Sequence, residues 1–131
     1  LLEDRRLFLT AGYDIIRLHL YSIHISETVM ADLIQTVKNA GIAGMGGGGF
    51  PAYLKLRNKV DVLIANGAEC EPLMWSDYQA ISCYADSLIE GIREIKNTVC
   101  AKKAIIAVKA KRKDLIKRLQ SALKYDIQLS F

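Results

Sequence analysis

Two short apolar runs, Val60-Asp61-Val62-Leu63-Ile64-Ala65 and Ala104-Ile105-Ile106-Ala107-Val108, constrain this chain more than any other feature of it. Both are short for a helix, rich in β-branched residues and apolar nearly throughout, as strands buried on both faces must be. Each is followed by a stretch with helical periodicity. Behind the first, Ser76-Asp77 predicts the cap of one long helix, with Ala80, Ile81, Tyr84, Ala85, Leu88, Ile89, Ile92 and Ile95 on its inner face. Behind the second, a helix from about Lys113 carries Leu115, Ile116, Leu119 and Leu123 on one stripe, and Ile127 to Phe131 reads as a third strand. Alternation of this kind with short links predicts right-handed crossovers and a parallel sheet. Such a sheet needs helices on both faces, so three strands ending at residue 131 read as a sheet that lacks its far side.

Upstream, Val29, Met30, Leu33, Ile34 and Val37 recur at helical spacing behind Ser26, a suitable N-cap, and Asn39-Ala40-Gly41 ends that helix. Ile15 to Ile25 is strand-like, with partial two-residue alternation, and reads as part of an accessory arm. The expected division is therefore an arm over residues 1–25 and one domain over 26–131. A length of 131 residues suits a single core, and 51% apolar against 24% charged residues is globular composition. No apolar run approaches the roughly 18–20 residues of a membrane span, and the mixed-charge start is not a secretory signal. The start lacks Met, so a trimmed or processed N-terminus, or a fragment of something longer, is expected.

Cys70, Cys83 and Cys100 stand too far apart for a zinc or iron–sulfur motif, and an odd count fits no disulfide framework, so a reducing cytoplasm is expected. Any iron–sulfur cluster is thus expected outside this chain. His19 and His24 fall on opposite faces of the strand-like arm, and no metal site is expected. The net charge of +4 is unevenly spread. Residues 1–100 hold 9 Lys/Arg against 12 Asp/Glu, and residues 101–131 hold 9 against 2. The basic stretch reads as a solvated helix face; contact with an acidic partner or nucleic acid is the alternative.

Six of nine glycines lie between positions 41 and 49, four of them consecutive: Gly46, Gly47, Gly48 and Gly49. Glycine weakens a helix or strand interior by about 0.5–1 kcal/mol, so packing does not explain them. Bare backbone lets several N–H groups converge on one anion and lets a flat ring approach the main chain. Phe50-Pro51 closes the turn, and a helix starting at Pro51 places Lys55 one turn later, near the same anion. The pattern is neither a P-loop nor the dinucleotide fingerprint, since no Gly-Lys-Ser/Thr follows and the glycines come after a helix. Asn66-Gly67-Ala68-Glu69-Cys70-Glu71-Pro72 lies just past the carboxyl end of a buried strand, where open α/β sheets bind ligands. Asn66 can both donate and accept hydrogen bonds, and Glu69 and Glu71 can point the same way in an extended loop. A solvated acidic turn is the plain alternative. Cys70 reads as a small filler, and Trp75 and Tyr78 as core or pocket mouth.

Ala40 to Lys55 together with Asn66 to Pro72 resemble the C subunit of Rnf-type ion-pumping electron-transport complexes and its proline-reductase-associated relatives. More distantly they are similar to the NADH-binding flavoprotein subunit of respiratory complex I. The likeness covers roughly Val29 to Phe131. It implies an α/β, Rossmann-like three-layer parallel sheet, incomplete here, that binds FMN and takes electrons from NADH for iron–sulfur clusters held elsewhere. It further implies that Gly46, Gly47, Gly48 and Gly49 cradle the flavin and Lys55 supports it. Asn66 and Glu69 would bond the ring or ribityl chain, and Phe50 and Glu71 would face the nicotinamide dinucleotide. Met45 and Ala68 stand where complex I flavoproteins carry Arg and Asp, which fits the Rnf-like branch. The implied partners are nucleotide cofactors and other subunits of a redox complex. The implied place is the cytoplasm, peripheral on the inner face of the cell membrane, with no nucleic acid bound. A scaffold that keeps the fold without the cofactor is the alternative function.

Overall fold

A computed structural model of the chain describes residues 5–10, 33–44, 48–68, 75–123 and 127–131. In chain order these form β1 (Arg6–Thr10), α1 (Leu33–Asn39), α2 (Ala52–Lys55), β2 (Val62–Asn66), α3 (Ser76–Cys83), α4 (Ala85–Thr98), β3 (Lys103–Ala107), α5 (Lys113–Ala122) and β4 (Ile127–Ser130). The four strands pair in sequence order, β1-β2-β3-β4, and every pair is parallel. An α/β fold with a parallel sheet is thus what the alternation of strand and helix produces.

Register explains the core. Leu7, Leu63, Ala104 and Ile127 lie in one row across the sheet, and Leu9, Ala65, Ile106 and Leu129 in a second row on the same face. Against these pack Ile81 from α3, Leu88, Ile89, Ile92 and Ile95 from α4, and Leu115 and Leu119 from α5, in one continuous hydrophobic cluster. Leu63, Ile81, Leu88, Ile92, Ile106 and Leu119 are completely shielded from solvent. Each such side chain contributes about 1.5–3 kcal/mol relative to exposure. Val37 of α1 and Leu56, just past α2, join the same cluster, so the glycine-rich turn between those helices is anchored at both ends.

Three expectations need correction. The first strand of the sheet is Arg6–Thr10, which the sequence reading missed; the strand-like stretch Ile15 to Ile25 lies outside the described residues. The sheet therefore has four strands where three were read. The long helix after β2 is two helices, broken at Tyr84, whose φ −123° and ψ 34° leave the α region and turn its ring half out to solvent. Finally, Ser76 does not cap α3. The N-cap is Trp75, with no side-chain capping bond, because an indole is a donor only and has nothing to accept the free N–H groups of the first turn.

At the amino edge of the sheet Asp61 joins three strands. Its carboxylate accepts from the Arg5 backbone N–H at 3.2 Å and meets the Lys102 ammonium at 3.2 Å, and Arg5 Nε lies at 3.5 Å. Its own N–H donates to the Arg5 carbonyl, and its carbonyl accepts from the Lys102 N–H. The Lys102 bond first, and the Arg5 backbone bond next, hold the Asp61 carboxyl below its ordinary value.

Candidate functional site

The glycine-rich turn is built on a helix end. Gly41 adopts φ 63°, its N–H donates to the Lys38 carbonyl and the Ile42 N–H to the Val37 carbonyl, which is a Schellman cap on α1. Ile42 and Val37 are both buried, supplying the apolar contact that accompanies such caps. The chain then runs outward and returns. Ala43 and Pro51 form an antiparallel bridge, Gly44 N–H donates to the Phe50 carbonyl at 2.8 Å, and Ala52 N–H donates to the Ile42 carbonyl at 2.9 Å. These bonds hold Gly44 against Phe50 and Ile42 against Ala52 and so close the base of the turn.

At the described part of its tip, Gly48 and Gly49 are exposed, and a methyl group added to either would meet no heavy atom within 4 Å. Gly49 has φ 59°, a conformation that favours glycine. Phe50 is 49% exposed beside them. Lys55, the last residue of α2, folds back under the turn: its ammonium lies 6.0 Å from the centre of the Phe50 ring and packs against Gly44. Two further cations flank α2, for Lys38 Nζ and the Arg57 guanidinium lie over the Tyr53 ring at 5.7 and 5.3 Å. From residue 33 to 60 the sequence holds Lys38, Lys55, Arg57 and Lys59 but no Asp or Glu. Bare amides beside positive charge that its own segment does not oppose attract an anion, and an open face beside an aromatic ring admits a flat group.

The second predicted turn starts at the carboxyl end of β2. Asn66 is exposed there, and its side-chain oxygen accepts from the Ala68 N–H at 3.1 Å, an Asx turn that leaves the amide nitrogen as its donor group. Gly67 N–H donates to the Ala107 carbonyl at 2.8 Å. A methyl group on Gly67 would lie 2.8 Å from Ile81 Cδ1 and 3.3 Å from both the Ala107 carbonyl oxygen and Val108 Cγ1, so a side chain there must displace the tip of Ile81 and crowd β3.

Beyond that loop, Trp75 and Tyr78 meet edge to face at 5.5 Å, and the Arg112 guanidinium stacks on both, 4.4 Å from the first ring and 4.7 Å from the second. The Tyr78 hydroxyl donates to the Asp114 carboxylate. That bond raises the phenol pKa and lowers the carboxyl pKa. The start of α3 is thereby tied to the start of α5.

Of the residues named from sequence, the structure gathers Gly48, Gly49, Phe50 and Lys55 into one unit. Asn66 belongs to a separate turn, and its side-chain bond among the described residues is to Ala68. Gly46, Gly47, Glu69, Cys70 and Glu71 lie outside the described residues. Sequence reasoning missed Gly44, Lys38 and Arg57; the acid-free stretch from 33 to 60 was the signal that could have found the cations. Among the described residues no group of His, Cys, Asp and Glu could hold a metal ion, and no helix is long and apolar enough to cross a membrane. Cys83 and Cys100 are free and exposed.

A family model described as the Nuo51 FMN-binding domain matches residues 37–128. Cobalamin reductase PduS of Citrobacter freundii is 39% identical over 95 residues, which are 72% of this chain and 21% of that protein. The C subunit of the ion-translocating oxidoreductase complex of Serratia proteamaculans is 38% identical over 101 residues, 75% of this chain and 14% of that one. The C subunit of the Na(+)-translocating ferredoxin:NAD(+) oxidoreductase complex of Acetobacterium woodii is 36% identical over 108 residues, 79% of this chain and 24% of that one. The chain therefore spans at most about a quarter of these relatives' length. Among solved structures, a chain of an NAD+-reducing [NiFe]-hydrogenase superposes with a TM-score of 0.64 at 22% identity, over 88% of this chain and 22% of that one, a likeness of fold.

Proposed function

The chain belongs to the Nuo51 FMN-binding domain family, and from that premise we propose that it forms the flavin seat of an electron-transfer oxidoreductase that draws on NADH. One observation carries the reading: the pinched glycine turn presents unhindered backbone at Gly48 and Gly49 with Phe50 beside it and the Lys55 ammonium beneath. That arrangement fits a flat ring that carries a phosphate.

In this reading the backbone of Gly46–Gly49 holds the flavin, Lys55 meets its phosphate side, and Phe50 covers one edge. Asn66, whose side-chain oxygen is held by the Ala68 N–H, and Glu69 bond the ring or the ribityl chain. Phe50 and Glu71 face the nicotinamide dinucleotide. FMN, when bound, supplies the chemistry of accepting a hydride and releasing electrons singly. The protein's share is to bind and orient it. Iron–sulfur clusters belong to other parts of the assembly. Two of the relatives are subunits of ion-translocating complexes, which supports a place beside a membrane; the inner face is part of the proposed reading.

Trp75 is the sole tryptophan and opens the helix that follows the acidic loop. Titration of the flavin-free chain with FMN is expected to quench its fluorescence to saturation, and NADH added to that complex is expected to bleach the flavin. A chain that ignores FMN contradicts the flavin seat. Binding without bleaching leaves the seat and removes NADH from it.

A further inference from the structure

Gly44 is buried, and its φ is not among the positive ones, so backbone conformation does not require glycine there. What requires it is a side chain. A methyl group on Gly44 would lie 3.2 Å from Lys55 Nζ and 3.9 Å from Lys55 Cε, and 3.4 Å from the Phe50 carbonyl oxygen. The last two are ordinary contacts; the first is tight, and the ammonium must give way by a few tenths of an ångström. The bare Cα of Gly44 is thus a notch in the base of the turn, and the end of the Lys55 side chain fills it. Two features fix the notch in place. The Gly44 N–H is bonded to the Phe50 carbonyl, and the Ala43–Pro51 bridge closes the turn behind it. No described carboxylate forms an ion pair with Lys55, so packing against Gly44, with the Phe50 ring 6.0 Å away, sets where its charge sits.

We propose that Gly44 is a positioning residue for flavin phosphate: by lacking a side chain it seats the Lys55 ammonium against the base of the glycine turn. The inference rests on the flavin reading above and extends it to a residue that touches the ligand only through Lys55. Gly44→Ala moves the ammonium and leaves the backbone alone, so it acts on affinity while the fold persists.

The test is a double-mutant cycle on FMN dissociation constants, with Gly44→Ala, Lys55→Met and the two combined. Alongside it, the rate of Lys55 acetylation is measured by mass spectrometry in the flavin-free chain. Gly44→Ala is expected to weaken FMN by about fivefold, and to have no effect once Lys55 is Met, as coupled neighbours behave. In the flavin-free chain the same substitution is expected to speed Lys55 acetylation at least about twofold, since the amine is pushed from its notch. Additive losses, or an acetylation rate that does not move, overturn the assignment. If Gly44→Ala alone is unfolded, the double variant decides: folded, it shows that the lysine filled the notch; unfolded, it overturns the notch. No FMN binding by the unaltered chain overturns the flavin reading and this assignment with it. An FMN-binding chain whose affinity ignores Gly44→Ala overturns the assignment alone.

Discussion

The amino edge of the sheet and the glycine unit both hold positive charge, and they treat it in opposite ways. At the amino edge of the sheet, Arg5 and Lys102 converge on the Asp61 carboxylate, and the strand ends are joined by backbone bonds around the same residue. In the glycine unit, Lys38, Lys55 and Arg57 rest on aromatic faces, and no acidic residue occurs from 33 to 60. The first arrangement is complete by itself and serves the fold. The second leaves charge for something from outside. In the proposed reading the cations held by a carboxylate serve architecture, and those held by ring and backbone beside bare amides serve the flavin.

The contrast breaks most readily at Lys55. Lys55→Glu is expected to weaken FMN about a hundredfold, roughly twice the 1.4 kcal/mol of a tenfold step, with the thermal midpoint nearly unchanged; flavin titration and a melting curve check both. Phe50→Ala comes next. The ring is half exposed, so stability should stay within about 0.5 kcal/mol while FMN affinity falls about fivefold if the ring covers the flavin. Salt sharpens the comparison further. Raising ionic strength from 0.05 to 0.5 M shortens the screening length severalfold and is expected to weaken FMN about threefold, as isothermal titration would read.

The smallest effect belongs to Asp61. Its folded carboxyl titrates below the ordinary value, so its contribution to stability is present above the unfolded pKa and is lost as pH falls through the folded one. Denaturant melts of the parent should therefore weaken from about pH 4, the ordinary carboxylate range, downward. Asp61→Asn should show a shallower acid limb, with the part from Asp114 remaining, and bind FMN unchanged. An altered FMN affinity in Asp61→Asn would erase the distinction between the two regions.

The strands β2, β3 and β4 and the helices α4 and α5 were legible because a long apolar run or a full stripe specifies them locally. β1 was not. Its five residues, Arg6-Leu7-Phe8-Leu9-Thr10, gain meaning only from pairing with Val62–Asn66, more than fifty positions away. The break at Tyr84 escaped because the apolar period continues through it while the backbone does not. Ser76 looked like a cap by type, but the start of α3 is set by Trp75 stacking under Arg112, a contact invisible in a local window. In the site, the tetraglycine and Phe50-Pro51 announced themselves by composition. The notch at Gly44 did not, since it exists only when the Ala43–Pro51 bridge brings Lys55 beneath the turn.

The most direct measurement is an amide NMR titration of the 15N-labelled chain with FMN. The largest shifts are expected at Gly44, Gly48, Gly49 and Phe50, with Arg5, Asp61 and Lys102 unmoved. Shifts confined to the basic loop from Lys109 to Lys113, or none at saturating FMN, would contradict the glycine unit as the flavin seat.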